Sequence, residues 1–318
     1  MAHYGHSITS KRMAYFAGID GGGTKTACVV GDEHSVLGRS LAASSKIARV
    51  GPEQARAALQ KALEDACGEA KIKLTQLERI CMGIAGAARS HIVSATRKLM
   101  EEIVFCPIEI IGDMVIAQEA AFDGGPGMIV IAGTGSICYG RDVRGETARA
   151  GGWGPAISDE GSGDWIGRRA VALALRAHDA GQHTALLPAL FTAWRVGTRD
   201  EVCTIANAIP PPDFSQLVPK VGEAAQAGDE IASRILEEAG TELAELAKIV
   251  ANRLWPGSQS VAACLTGGVF QNSDKVRDVF TKKLKVARPD AVVNDSSVEP
   301  VMGALALARK QAAGAAGI

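Results

Sequence analysis

The sequence predicts an α/β protein of two domains, each organised around a strand, a glycine-rich tip and a returning strand. Three observations carry that prediction. The chain has 318 residues, about twice a typical domain and long enough for two sizeable cores. Short apolar runs rich in β-branched residues alternate with segments of helical period. The strand-tip-strand pattern also occurs twice, first as Tyr15-Phe16-Ala17-Gly18-Ile19-Asp20 entering Gly21-Gly22-Gly23-Thr24, then as a strand at 128–132 entering Gly133-Thr134-Gly135.

Taken in order, the first tip returns into a strand at 26–30, so the two form a hairpin. A third strand is expected at 36–41. A helix over 52–70 opens on Pro52, whose missing N–H is no loss in a first turn. Strand 80–84, helix 91–102, strand 108–111 and helix 115–122 complete an alternating half. The turn cluster Asp123-Gly124-Gly125-Pro126-Gly127 ends it. The pattern then restarts with strand 128–132, the second tip and strand 137–140. Long helices follow, clearest over 229–254, where Ile235, Leu236, Leu243, Leu246 and Val250 fall on one face. Strand 261–265 runs into Thr266-Gly267-Gly268-Val269, a helix over 273–284 follows, and a helix over 301–310 closes the chain.

With 34 basic and 35 acidic residues, a formal net charge of −1 and no long run of one sign, the chain is not expected to bind nucleic acid or an anionic membrane. The seven cysteines stand singly, without the spacing of a zinc or redox site, as buried thiols in a reducing compartment do. No apolar signal core and no stretch near the ~18 to 20 residues of a spanning helix is present. A cytoplasmic enzyme or ATPase is expected.

A glycine-rich hairpin tip suits phosphate, because backbone N–H groups approach the anion with no Cβ in the way and a Thr hydroxyl adds a donor. One such tip is also an ordinary tight turn. Two matched tips, Gly22-Gly23-Thr24-Lys25 and Gly133-Thr134, are expected to grip a triphosphate from both sides. Neither is a Walker loop or a dinucleotide fingerprint. Asp20, at the end of the first strand, either holds a hydrated Mg²⁺ beside the phosphates or caps the turn. Asp113 lies between a strand and a helix; it is either an N-cap or the base that takes the proton of an attacking hydroxyl. The segment from Ala150 to Gly167 is dense in glycine, tryptophan and acid. In it Trp153 would stack on a sugar ring and Asp159 accept sugar hydroxyls; alternatively Ser158 or Asp159 caps a helix starting near Gly161. Gly267 and Gly268 would admit a flat adenine or ribose.

The order DGGGT, strand-end Asp, IAGTGS, GGWG…SDEGSGxWIG and LTGGV resembles the N-acetylglucosamine kinase and bacterial glucosamine kinase group of the BadF/BadG/BcrA/BcrD-type ATPases, within the actin, sugar kinase and heat-shock ATPase superfamily. The resemblance runs from about residue 14 to residue 310. It implies an actin-like ATPase fold of two ribonuclease H-like domains with an ATP cleft between them. The first would span 13–122 with a closing helix at 300–312, the second 123–299 with a helical insertion. It further implies ATP and Mg²⁺ as cofactors, a homodimer, and Thr24 and Thr134 on the phosphates. Asp113 would be the base, and Ser136, Gly152, Trp153, Gly154 and Asp159 would line the sugar pocket. Members that take N-acetylglucosamine commonly carry Asn in the loop after the third strand, where this chain has Lys46, which changes the charges the pocket favours.

The leading expectation is therefore phosphoryl transfer from ATP to an amino sugar, N-acetylglucosamine or glucosamine, at the 6-hydroxyl. Two others stand beside it. One is the ATPase activator of a radical dehydratase or reductase, which needs cysteines to hold an iron–sulfur cluster. The other is a sugar-sensing ATPase.

Overall fold

The computed structural model describes residues 13–257, 260–294 and 298–315. They divide into two compact units, 13–120 with 299–315, and 121–298.

The first unit is a five-stranded sheet of β1 (Tyr15–Gly21), β2 (Lys25–Gly31), β3 (Val36–Ala43), β4 (Leu77–Ile84) and β5 (Ile108–Gly112), in the order β3-β2-β1-β4-β5. The first three run as an antiparallel meander, and β4 and β5 lie parallel to β1. A sheet covered on both faces asks for apolar residues at every position of its central strand, and β1 supplies Phe16, Ala17, Gly18 and Ile19, all buried. Ala17 and Ile19 meet helices Pro52–Glu69 and Ser90–Glu101 through Leu59, Leu63 and Met100. On the other face Phe16 meets Ile116 of helix Asp113–Phe122 and Leu305 of helix Pro300–Ala315. That last helix lies so close to β1 that a Cβ on Gly18 would come 2.3 Å from the Leu305 backbone nitrogen.

The second unit repeats this arrangement. Strands β6 (Gly127–Ala132), β7 (Ser136–Arg141), β8 (Thr147–Gly151), β9 (Ala262–Thr266) and β10 (Val292–Asn294) form a sheet of order β10-β9-β6-β7-β8. β7 and β8 run antiparallel to their neighbours and β9 and β10 parallel. Read from β8, the order and directions match those of the first sheet strand for strand. Helix Glu230–Leu254 packs on it, capped by Asp229, whose carboxylate accepts from Ala232 N at 2.9 Å. Its face of Ile235, Leu236, Leu243, Leu246 and Val250 is buried, at about 1.5 to 3 kcal/mol per large side chain.

The α/β class and both hairpins are as the sequence predicts. Three details differ. β3 continues through Ala43; its last residues are exposed on alternate positions, which no apolar run marks. β8 is an unpredicted strand, because Thr147-Ala148-Arg149 at a sheet edge carries little hydrophobic signal before two glycines. Three helices, Leu186–Trp194, Arg199–Ala206 and Val218–Gln226, lie where only a general helical region was expected. Among the described residues no helix is long and apolar enough to cross a membrane.

Candidate active site

Each unit presents its own half-site at its hairpin tip. In the first, β1 and β2 pair as far as Gly21 and Thr26, and Gly22 N donates to Lys25 O at 3.1 Å to close the turn. Thr24 and Lys25 are exposed at its outer edge. The segment after β3 holds the tip from beneath. Thr26 Oγ1 lies 2.8 Å from Ala43 O and 2.9 Å from Ser45 Oγ. Ser44 Oγ donates to Gly22 O at 3.3 Å and an Arg49 guanidinium N–H to Gly23 O at 2.7 Å. Lys46 lies between these anchors, its stem beside Gly23. None of these contacts is visible in the sequence, since they join residues about 20 positions apart.

Asp20 and Asp113 belong to the same half-site, and strand parity explains why. Side chains alternate across a strand, so Asp20 shares the face of Phe16 and Gly18. That face is covered by the helix that begins at Asp113. Lys25 shares the parity of Val29 and points to the same face. Asp20 is half-buried, and its pKa is pushed up to about 6, first by burial, then by the charge of Asp113, with Lys25 opposing. Asp113 is also raised, by burial; the Met114 amide, 2.9 Å from Oδ1, and the Lys46 ammonium pull it back. Asp113 is the first residue of the helix, two residues earlier than the expected start at Val115, and its carboxylate accepts the second residue's amide rather than capping from outside. Two carboxyls that resist ionising together are a place where a cation or a proton acceptor has work to do.

In the second unit, Gly133 N donates to Gly135 O at 2.9 Å across the tip, and Thr134 is exposed as Thr24 is. Helix Gly163–Asp179 seats its first amides on this tip: Gly163 N donates to Gly133 O at 2.8 Å and Asp164 N to Thr134 O at 3.2 Å. The helix is capped by Ser162, whose Oγ accepts from Trp165 N at 3.2 Å. The capping alternatives for Ser158 and Asp159 are thereby corrected: the helix starts two residues later than expected. Asp159 is held in a left-handed conformation, φ 69°, which non-glycine residues adopt uncommonly. It is buried, accepts from Gly154 N at 3.2 Å, and presses its other oxygen against Gly135, where a Cβ would lie 2.8 Å away. The acidic loop and the second tip are thus one structure.

Gly152 has φ 72°, and a Cβ there would meet the Ile137 side chain at 2.8 Å. Ser136 is buried and its hydroxyl donates to Glu160 O at 2.7 Å, so it holds the same loop in place. Trp153 is 56% exposed, with the Arg149 guanidinium 4.4 Å from its ring centroid. That cation covers one face of the ring. Gly267 has φ 103°, and a Cβ on it would come 2.4 Å from Ala132 O, so the Thr266-Gly267-Gly268 corner lies directly against the end of β6.

Two hairpin tips in two copies of one sheet, each with an exposed threonine, are matched across residues 17–308 by the family model described as the BadF/BadG/BcrA/BcrD ATPase family. The chain belongs to that family. Proteins similar to it include an N-acetylmuramic acid/N-acetylglucosamine kinase of Clostridium acetobutylicum, 31% identical with 94% of this chain and 99% of that one aligned. An N-acetyl-D-glucosamine kinase of Dictyostelium discoideum is 30% identical over 92% and 97% of the two chains. Among solved structures, a protein of Chromobacterium violaceum described as an N-acetylglucosamine kinase superposes with a TM-score of 0.76 at 26% identity, covering 93% of this chain and 99% of that one. The family resemblance and the α/β fold class expected from the sequence are both borne out.

Proposed function

We propose that this ATPase-family chain transfers the terminal phosphoryl of ATP to the 6-hydroxyl of an amino sugar, N-acetylglucosamine or glucosamine. The observation that carries the reading is Asp113: a half-buried carboxyl with a raised pKa, at the end of a parallel strand, in the same half-site as a glycine tip. Phosphoryl transfer to an alcohol needs one group to take the hydroxyl proton and donors to hold the phosphates, and little else from the protein. Asp113 takes the proton. Gly22, Gly23, Thr24 and Lys25 hold phosphate oxygens from one tip, Gly133 and Thr134 from the other. Gly267 and Gly268 leave room for the nucleoside. Lys46, Gly152, Trp153, Gly154 and Asp159 contact the sugar, and Ser136 keeps the loop that carries the last four in register.

Magnesium fits this donor set as a companion of the nucleotide. Among the described residues no group of three metal-ligating side chains gathers, and Mg²⁺ is commonly bound by one or two carboxylates plus substrate phosphates. Asp20, a carboxylate whose ionised form is disfavoured by burial, would hold it, directly or through water, and the ion would supply charge neutralisation to the phosphates. We place the enzyme in the cytoplasm as a homodimer. The reducing compartment agrees with the seven cysteines, five of them buried; the dimer rests on the family resemblance. The activator of a radical enzyme is not favoured, since relatives similar over nearly the whole chain bear sugar-kinase names.

The test is ADP release by the purified chain with Mg²⁺ and ATP, across glucosamine, N-acetylglucosamine, N-acetylmuramic acid, glucose and mannose. Stimulation by an amino sugar is expected. If none of the five raises ADP release above the sugar-free rate, the reading is wrong.

A further inference from the structure

The two half-sites hold one peptide alike. In each, the carbonyl directly before the exposed threonine is bound by a donor from the body of the same unit. Gly23 O accepts from the Arg49 guanidinium at 2.7 Å, and Gly133 O accepts from Gly163 N at 2.8 Å. The donors have no chemistry in common. One is a side chain 26 positions along the chain, on the short helix Ile47–Val50; the other is the first backbone amide of helix Gly163–Asp179. What the two share is the direction they impose on that peptide.

A trans peptide carries its N–H opposite to its C=O. With Gly23 O turned to Arg49, the Thr24 N–H is turned away from it. The preceding peptide is set likewise: Ser44 Oγ donates to Gly22 O at 3.3 Å, so the Gly23 N–H faces away from Ser44. The Gly22 N–H is spent on Lys25 O. Among the described residues the amides of Gly23 and Thr24 have no hydrogen-bond partner. A glycine peptide rotates at small cost, because glycine takes positive and negative φ about equally, so an unanchored tip would swing these donors out of line. Arg49 is itself fixed at its base, where Arg49 N donates to Lys46 O at 2.8 Å and Gly51 N to Ile47 O at 2.9 Å.

We propose that Arg49, seconded by Ser44, is a positioning residue for the nucleotide, acting on the phosphates through the Gly23–Thr24 peptide and aiming the amides of Gly23 and Thr24 at their oxygens. This rests on the ATP-dependent reading above and narrows the backbone donors of the first tip to those two groups.

The experiment is binding of a non-hydrolysable ATP analogue with Mg²⁺ to the full chain, followed by calorimetry and by the amide proton resonances of Gly23 and Thr24. In the wild type both resonances should move downfield as the analogue binds. Arg49→Met keeps a stem and removes the donors; it should weaken binding on the order of 10-fold and shrink the Thr24 shift. Ser44→Ala removes a longer, uncharged bond; it should weaken binding about 3-fold and act chiefly on Gly23. Because Ser44→Ala leaves every charge in place, it separates aim from plain attraction of the phosphates. The proposal is overturned if the wild type binds the analogue and neither resonance moves, a result that needs no variant to fold. It is overturned if both variants bind as tightly as the wild type. It is also overturned if Arg49→Met binds weakly while Thr24 responds as before, since Arg49 would then act by charge alone. If the wild type binds no nucleotide, the reading above falls and this inference with it.

Discussion

Replacing Asp20 by Asn should make the nucleotide-free protein more stable at neutral pH while destroying its activity. The carboxyl is raised from 3.8 to about 6, by burial first and by Asp113 second, so ionising it in the folded chain costs roughly 3 kcal/mol. The sign follows from linkage. Below its unfolded pKa the group is protonated in both states and costs nothing. As pH rises through the folded pKa the unfolded chain ionises freely and the folded one reluctantly, so stability is lost. The deficit is roughly half developed at pH 5 and complete by pH 8. Asn keeps the shape without the charge. Thermal unfolding without metal or nucleotide should therefore give Asp20→Asn a melting temperature higher by roughly 5 to 10 °C at pH 8, and by about half as much at pH 5. Adding Mg²⁺ and ATP should raise the wild type more than the variant. A variant no more stable than wild type at pH 8, or an advantage that does not grow with pH, would refute the claim that a disfavoured charge is stored there.

Asp113→Asn should lower kcat by on the order of 100-fold or more with the KM for ATP changed only a few-fold, the scale of a lost general base; steady-state kinetics at saturating sugar decide it. Thr24→Val should raise the KM for ATP several-fold by removing one exposed donor from the tip, an effect read from ATP titrations at fixed sugar. Ser162→Ala removes the cap of helix Gly163–Asp179, at about 1 kcal/mol, and because that helix seats on the second tip its cost should appear in both melting temperature and ATP affinity.

Much of this was readable from the residues. The repeated strand, glycine tip and threonine fixed both hairpins, since the pattern is local and each tip needs its glycines within four positions. Local signals end where pairing does. β8 was missed because an edge strand needs no apolar alternation, and its Arg149 then turns out to cover Trp153. The anchoring of the first tip by Ser44 and Arg49 depends on how β3 ends, which no run of residues announces. The meeting of Asp20 with Asp113 was within reach, however. Counting parity from Phe16 along β1 puts Asp20 on the face that the later helix covers, and that simple step connects two sites the motifs treat separately.

The two tips are secured by different materials. The second is seated on backbone amides of the helix that Ser162 caps, whereas the first is secured by the side chains of Ser44, Ser45 and Arg49. A chain built on a duplicated sheet thus has one tip whose anchors are three separate side chains and one whose anchor is the start of a helix, so single substitutions reach the first directly and the second only through the helix that carries it.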